Sequence, residues 1–138
     1  MESDRYGLVV DVESDLETVR RRVVELLRNE GFGVLTEIDV QQTLKRRLGL
    51  DFRPYLILGA CNPELAHRAL EAEPGVGLLL PCNVVLEALR GGGSRVRLMD
   101  ATAALGLVGN PALTPIAAEA TERMRRVATQ LEAVAPGP

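Results

Sequence analysis

Two tripeptides in the chain mirror one another: Cys61-Asn62-Pro63 and Pro81-Cys82-Asn83. Each sets a thiol beside an amide where proline interrupts the backbone. A cysteine does its chemistry as the thiolate, which attacks electrophiles, exchanges with disulfides and binds soft metal ions. Asn62 followed by Pro63 is a strong helix start, a capping side chain before proline at the first helical position. Cys61 then ends a strand one residue ahead of that cap, near the free N–H groups and positive end of the helix, which favour thiolate over thiol. Cys82 belongs to the following strand. If that strand pairs beside the strand of Cys61, the two sulfurs are neighbours.

Three readings of the pair stand side by side. Cysteine is among the most buried residue types, so both can be small apolar core residues. They can instead form a redox or ligand-binding pair, with Cys61 the candidate catalytic nucleophile, Cys82 the resolving or leaving partner, and Asn62 or Asn83 an orienting donor. Or they can hold a soft metal ion with His67, the one histidine of the chain. By spacing His67 faces away from Leu65, Ala69 and Ala72, as a solvated helical histidine does. Two cysteines and a distant histidine fall short of the four ligands of a closed zinc site, so a metal set needs a second copy of the chain. Pro81 cannot donate to a ladder and marks a sheet edge or a bulge, both common near binding sites. Gly59 permits close backbone approach. These features place a ligand pocket at Gly59, Cys61, Asn62, Pro63, Pro81, Cys82 and Asn83, taking a small molecule or a soft metal ion; no cofactor can be named.

Other catalytic signatures are missing. The chain has no serine in a glycine-flanked elbow, no phosphate-cradling glycine loop and no second histidine for base work. Gly91-Gly92-Gly93 precedes a strand, so it reads as a turn. Glu37, Asp39, Asp51 and Asp100 are not paired by spacing, and Asp39 is better explained as a helix cap.

The elements that must position these residues follow from periodicity and punctuation. Residues 5–12 read as a strand, and Ser14-Asp15-Leu16-Glu17 as a capping box opening a helix with Leu16, Val19, Val23, Leu26 and Leu27 on one face, stopped at Gly31. A strand over 32–38 leads to a short helix capped by Asp39 and ended by Gly49. Tyr55–Cys61 is a strand, and the helix after Asn62 runs to about Ala72. Residues 76–89 read as one long strand interrupted at Pro81, returned by the glycine hairpin into 95–100. Residues 101–112 look like a loop. Thr114-Pro115 opens a last helix whose Ile116, Ala120, Met124, Val127 and Leu131 share a stripe, and 134–138 is expected to be a frayed tail. The order β-α-β-α-β-α-β-β-α makes an α/β chain with one sheet and helices packed on it. A bare aliphatic sheet face needs a partner, so a homodimer is expected.

Composition narrows the partners. The 138 residues are 46% hydrophobic and 25% charged, as in an ordinary globular domain, with only 3% aromatic residues and no Trp. The net charge of −3 argues against nucleic acid, which needs a clustered positive surface. The basic runs Arg20-Arg21-Arg22 and Arg123, Arg125, Arg126 lie in helical patterns with acidic neighbours, as solvated faces do. The first residues lack the basic start and apolar stretch of a signal peptide, and the longest apolar runs are strand-sized. No membrane association is expected, the cysteines are expected as free thiols, and the cytoplasm is the expected compartment.

Tyr-Leu-Ile-Leu-Gly-Ala-Cys-Asn-Pro over 55–63 and Leu80-Pro81-Cys82-Asn83-Val84 together resemble the domain-of-unknown-function family 302 (DUF302). The resemblance spans about 6–103 and includes Gly31-Phe32 and Glu37-Ile38-Asp39. It implies an α+β domain similar to the TATA-box-binding-protein fold, with helices on a curved, mainly antiparallel sheet. It also implies a small bacterial protein that pairs as a homodimer, and it marks Cys61, Asn62, Pro63, Pro81, Cys82 and Asn83 as the motif positions. It implies no activity, and a fold similar to that of a DNA-binding protein does not carry DNA binding with it.

Overall fold

The computed structural model describes residues 1–133; the expected tail at 134–138 lies outside the described residues. The strands are β1 (Glu2–Ser3), β2 (Gly7–Val12), β3 (Gly33–Asp39), β4 (Tyr55–Cys61), β5 (Cys82–Ala88) and β6 (Ser94–Met99). The helices are α1 (Leu16–Asn29), α2 (Val40–Leu48), α3 (Pro63–Ala72), α4 (Ala101–Gly106) and α5 (Thr114–Ala133). The strands form one six-stranded sheet in the order β1-β2-β6-β5-β4-β3, every neighbour antiparallel. This is an α+β fold, with a single antiparallel sheet and helices packed on it. The expected order of elements holds, with β1 and α4 added.

Period-two alternation decides the faces of the sheet. Leu8, Val10, Leu58, Val84, Leu86, Val96 and Leu98 point to one side, where α1 and α5 lay Val23, Leu26, Leu27, Met124 and Val127 against them. Each fully buried leucine or valine is worth about 1.5–3 kcal/mol over exposure, so this layer dominates the stability. The intervening residues, such as Val9, Val85, Arg95 and Arg97, stay partly exposed on the opposite face. A second, smaller core gathers Leu65, Ala69, Val76, Leu105, Leu113 and Ile116 where α3, α4 and the start of α5 meet.

Four local expectations are corrected. The cap of α1 is Asp15, which accepts from the Thr18 N–H at 2.8 Å; the carbonyl of Ser14 instead accepts from the Ser94 hydroxyl at 2.9 Å, tying that turn to β6. Only 82–88 of the long strand expected over 76–89 is strand. Pro74–Leu79 coils into 3-10 turns, with Val76 N–H donating to the Glu73 carbonyl, because Val76 is anchored in the second core while Gly75 and Gly77 let the backbone curl. Pro81 marks neither an edge nor a bulge. It stands just before β5, an interior strand, where its missing donor costs no ladder bond; the irregularity in the ladder falls between Val34 and Thr36 on β3. The expected loop at 101–112 contains α4, capped by Asp100 on the Ala103 N–H, and a 3-10 turn over Pro111–Leu113. No helix is long and apolar enough to cross a membrane among the described residues.

Candidate functional site

The two cysteines meet because β4 and β5 are adjacent. Ala60 lies directly opposite Cys82, and Gly59 opposite Asn83. Cys61 ends β4 and is half-buried, whereas Cys82 opens β5 on the core face and is 9% exposed. Both thiols line one cavity of about 370 Å³. That cavity lies at the seam between the two cores, with Phe32, Ala60 and Cys82 contributed by the first and Leu65, Ala69 and Ala120 by the second. It exists because the facing side chains are small, Ala60, Ala66, Ala69, Ala101 and Ala120 with Gly77, so the two apolar surfaces cannot close on each other.

The rim is built by short-range geometry. Asn62 caps α3, its Oδ1 accepting from the Leu65 N–H at 3.2 Å, and Pro63 takes the first helical position. Asn62 packs tightly under Gly31, whose φ of +84° ends α1. A Cβ at Gly31 would come 2.9 Å from the Asn62 amide nitrogen and 3.3 Å from Arg123, so that position needs glycine for space as well as for conformation. Arg123 donates to the Glu30 carbonyl at 2.8 Å and so joins α5 to the same corner. Gly59 serves close approach in a different way from the one expected. A Cβ there would lie 2.2 Å from Thr36 Oγ1 and 2.9 Å from Pro81 Cγ, so glycine lets these two side chains cross β4 and wall the cavity.

Electrostatics run against a thiolate. Burial pushes the Cys61 thiol above its ordinary value. Burial, and then the charge of a Cys61 thiolate close by, push Cys82 up to about 11. Both sulfurs are therefore neutral at physiological pH. Among the described residues the lining holds no His, Lys, Arg, Asp or Glu; its polar side chains are those of Thr36, Asn62 and the two cysteines. Such a wall offers too few hydrogen bonds to hold water well and suits an apolar occupant.

Several expected site residues are placed elsewhere. His67 is on the outer side of α3, 75% exposed and 3.3 Å from Glu71, so it joins no metal set with Cys61 and Cys82. Among the described residues no group of three or more His, Cys, Asp or Glu side chains is gathered for a metal ion. Asn83 follows Cys82 in a strand and so faces the opposite side of the sheet, where it is exposed. Pro63 is exposed and lies outside the cavity wall, and Gly59 lies beneath Thr36 and Pro81. The mirrored tripeptides therefore contribute Cys61, Asn62, Pro81 and Cys82 to one place. The wall formed by Phe32, Thr36, Leu80 and the alanines of α3 and α5 was not expected; the only trace of it in the sequence is the run of small residues Ala66 and Ala69 on one helix face.

The family model described as domain of unknown function DUF302 matches residues 8–131. A crystal structure of an uncharacterized conserved DUF302 protein from Bacillus stearothermophilus is 34% identical, with a TM-score of 0.84 over 91% of this chain and 97% of that one. No curated protein matches the chain.

Proposed function

This chain belongs to the DUF302 family, and from that premise we propose that it is a binding or sensing module for a small apolar molecule, held in the cavity at Cys61 and Cys82. The observation that carries this reading is a cavity of about 370 Å³ walled almost wholly by aliphatic side chains, with two neutral thiols as its main polarisable contacts. Ligand sites are commonly concave, apolar and largely preformed, with a few polar atoms fixing orientation. Here Asn62 and Thr36 supply those atoms. The soft-metal reading rests on the two sulfurs alone, enough for a two-coordinate thiophilic ion and no more. The thiol-enzyme reading with Cys61 as nucleophile is weaker, because both thiols are raised and no base lines the wall.

We also propose that the chain pairs as a homodimer along β3 and α2. Leu35, Ile38, Leu48 and Leu50 are large, apolar and exposed within one stretch, and β3 is an outer strand of the sheet. Free cysteines suit a reducing compartment, and we place the protein in the cytoplasm.

Titration with the uncharged fluorophore N-phenyl-1-naphthylamine tests the ligand reading. One saturable site per chain is expected, weakened at least tenfold by Ala69→Phe or, should that variant misfold, by Ala66→Phe. Absence of saturable binding, or unchanged binding in a folded cavity-filling variant, would overturn it. Silver(I) binding that is lost in Cys61→Ser while the fluorophore does not bind would turn the reading to the soft ion.

A further inference from the structure

The face of the sheet turned away from α1 and α5 carries a separate concavity of about 480 Å³, floored by Val85 and Met99 and reaching Asn83. Its centre is Glu87. No helix of the main layer covers this face, yet the Glu87 side chain is only 6% exposed, because Arg53 and Arg97 close over it. Arg53 donates from Nε to Oε2 and Arg97 from Nε to Oε1, each at 3.0 Å, and the Nη2 groups lie at 2.9 Å and 3.0 Å. Both guanidinium groups have thus spent the same edge on one carboxylate. Their Nη1 edges remain. That of Arg97 is 3.9 Å from Asp4 Oδ2, too long for a hydrogen bond, and that of Arg53 has no hydrogen-bond partner among the described residues.

The second observation is aromatic. The chain has two Tyr, two Phe and no Trp. Phe32 is in the core, and the other three gather here. The Arg53 guanidinium carbon is 4.5 Å from the Phe52 ring centre and 5.7 Å from that of Tyr55, and the two rings meet edge to face at 6.2 Å. Tyr6 stands on the rim, 68% exposed. Arg53 is therefore locked by stacking on one side and by Glu87 on the other, a preorganised cation with donors still free. The triad of two arginines and one glutamate carries one excess positive charge, which Asp4 meets only at a distance.

We infer that this concavity is a second binding site, taking a small planar aromatic carboxylate whose ring lies against Tyr6 and Tyr55 and whose carboxylate meets the Nη1 edges of Arg53 and Arg97. The inference does not rest on the apolar cavity, with which this concavity shares no lining residue. Asp4 is the internal competitor for Arg97. Its replacement by Asn keeps the acceptor for the Tyr6 N–H and removes the competing charge.

Titration with 2-naphthoate tests this, with naphthalene as the uncharged ring and acetate as the ringless anion. Saturable binding of 2-naphthoate, at least tenfold tighter than either control, is expected. It should weaken tenfold or more in Arg97→Gln and severalfold in Tyr6→Ala, which leaves the triad intact, and tighten severalfold in Asp4→Asn. Binding no stronger than that of the controls would overturn the inference, as would binding unmoved by Tyr6→Ala and Asp4→Asn. N-phenyl-1-naphthylamine binding should be the same in all three variants, so the two sites stand or fall separately.

Discussion

Alkylation of Cys82 puts the electrostatics of the cavity to a quantitative test. Its thiol is pushed from an ordinary 9.0 to about 11 by burial and by the neighbouring Cys61. At pH 8 the thiolate share then falls from about one in ten to about one in a thousand, roughly a hundredfold. A more basic thiolate is also a better nucleophile, with a Brønsted slope of about 0.4–0.5, and over two units this returns roughly tenfold. The net expectation is a Cys82 rate at least about tenfold below that of an exposed thiol, before restricted access slows it further. The pH dependence is sharper than the magnitude. The Cys82 rate should still climb about tenfold per pH unit beyond pH 9, where an ordinary thiol levels off. Timed iodoacetamide labelling between pH 7 and 10.5, read by peptide mass with the fold checked by circular dichroism at each pH, measures it. Cys61→Ser removes the opposing charge and should move the Cys82 profile to lower pH. A Cys82 rate that levels off below pH 9 in folded protein would refute the reasoning.

Three substitutions probe the supports of the two sites. Asn62→Ala removes the cap of α3 and should cost about 1 kcal/mol in urea unfolding, with the unfolding slope unchanged. Gly59→Ala drives a Cβ into Thr36 and Pro81 and should cost about 1–3 kcal/mol; adding Thr36→Ala should recover part of that loss, and a strictly additive double variant would deny the contact. Burial alone raises the Glu87 carboxyl, but the hydrogen bonds from Arg53 and Arg97, and then their charges, bring it below its ordinary 4.5. A lowered folded value means that its stabilisation is fully present above 4.5 and is lost as pH falls through the folded value. Glu87→Gln should therefore lower stability at pH 7, by about 1–3 kcal/mol, and flatten the acid limb of the stability profile below pH 4.5. An acid limb identical to that of the parent would contradict the assignment.

Much of the frame was legible because it rests on local rules. The apolar stripe of α1, the caps at Asp39 and Asn62, the left-handed stop at Gly31 and the glycine hairpin before β6 each follow from a few neighbouring residues, and all are present. The failures come where a local rule allows two outcomes. An apolar run such as 76–81 suits a strand or a tight coil equally well, and only the anchoring of Val76 in the second core decides between them. Ser14 and Asp15 can both cap, and the chain enters the helix at Asp15, whose carboxylate accepts from the Thr18 N–H. The separation of Asn83 from Cys82 was readable, since adjacent strand residues face opposite sides. A pocket between the two cysteine segments was expected, but its size and its apolar wall were not readable. It depends on alanines of α3 and α5 meeting β4 and β5 across the fold, and no spacing in the chain reports how far apart those surfaces stop.

The account stands on the thiols and the apolar ligand sharing one site, and protection of Cys61 tests this most directly. Alkylation of Cys61 at pH 8.5 is followed while N-phenyl-1-naphthylamine is raised to saturation. The rate should fall in proportion to the unoccupied fraction, with half-protection at the concentration that gives half-maximal fluorescence, and Ala69→Phe should abolish the dependence on the probe. A Cys61 rate that stays constant while the fluorescence saturates would place the ligand elsewhere and leave the cysteines as packing.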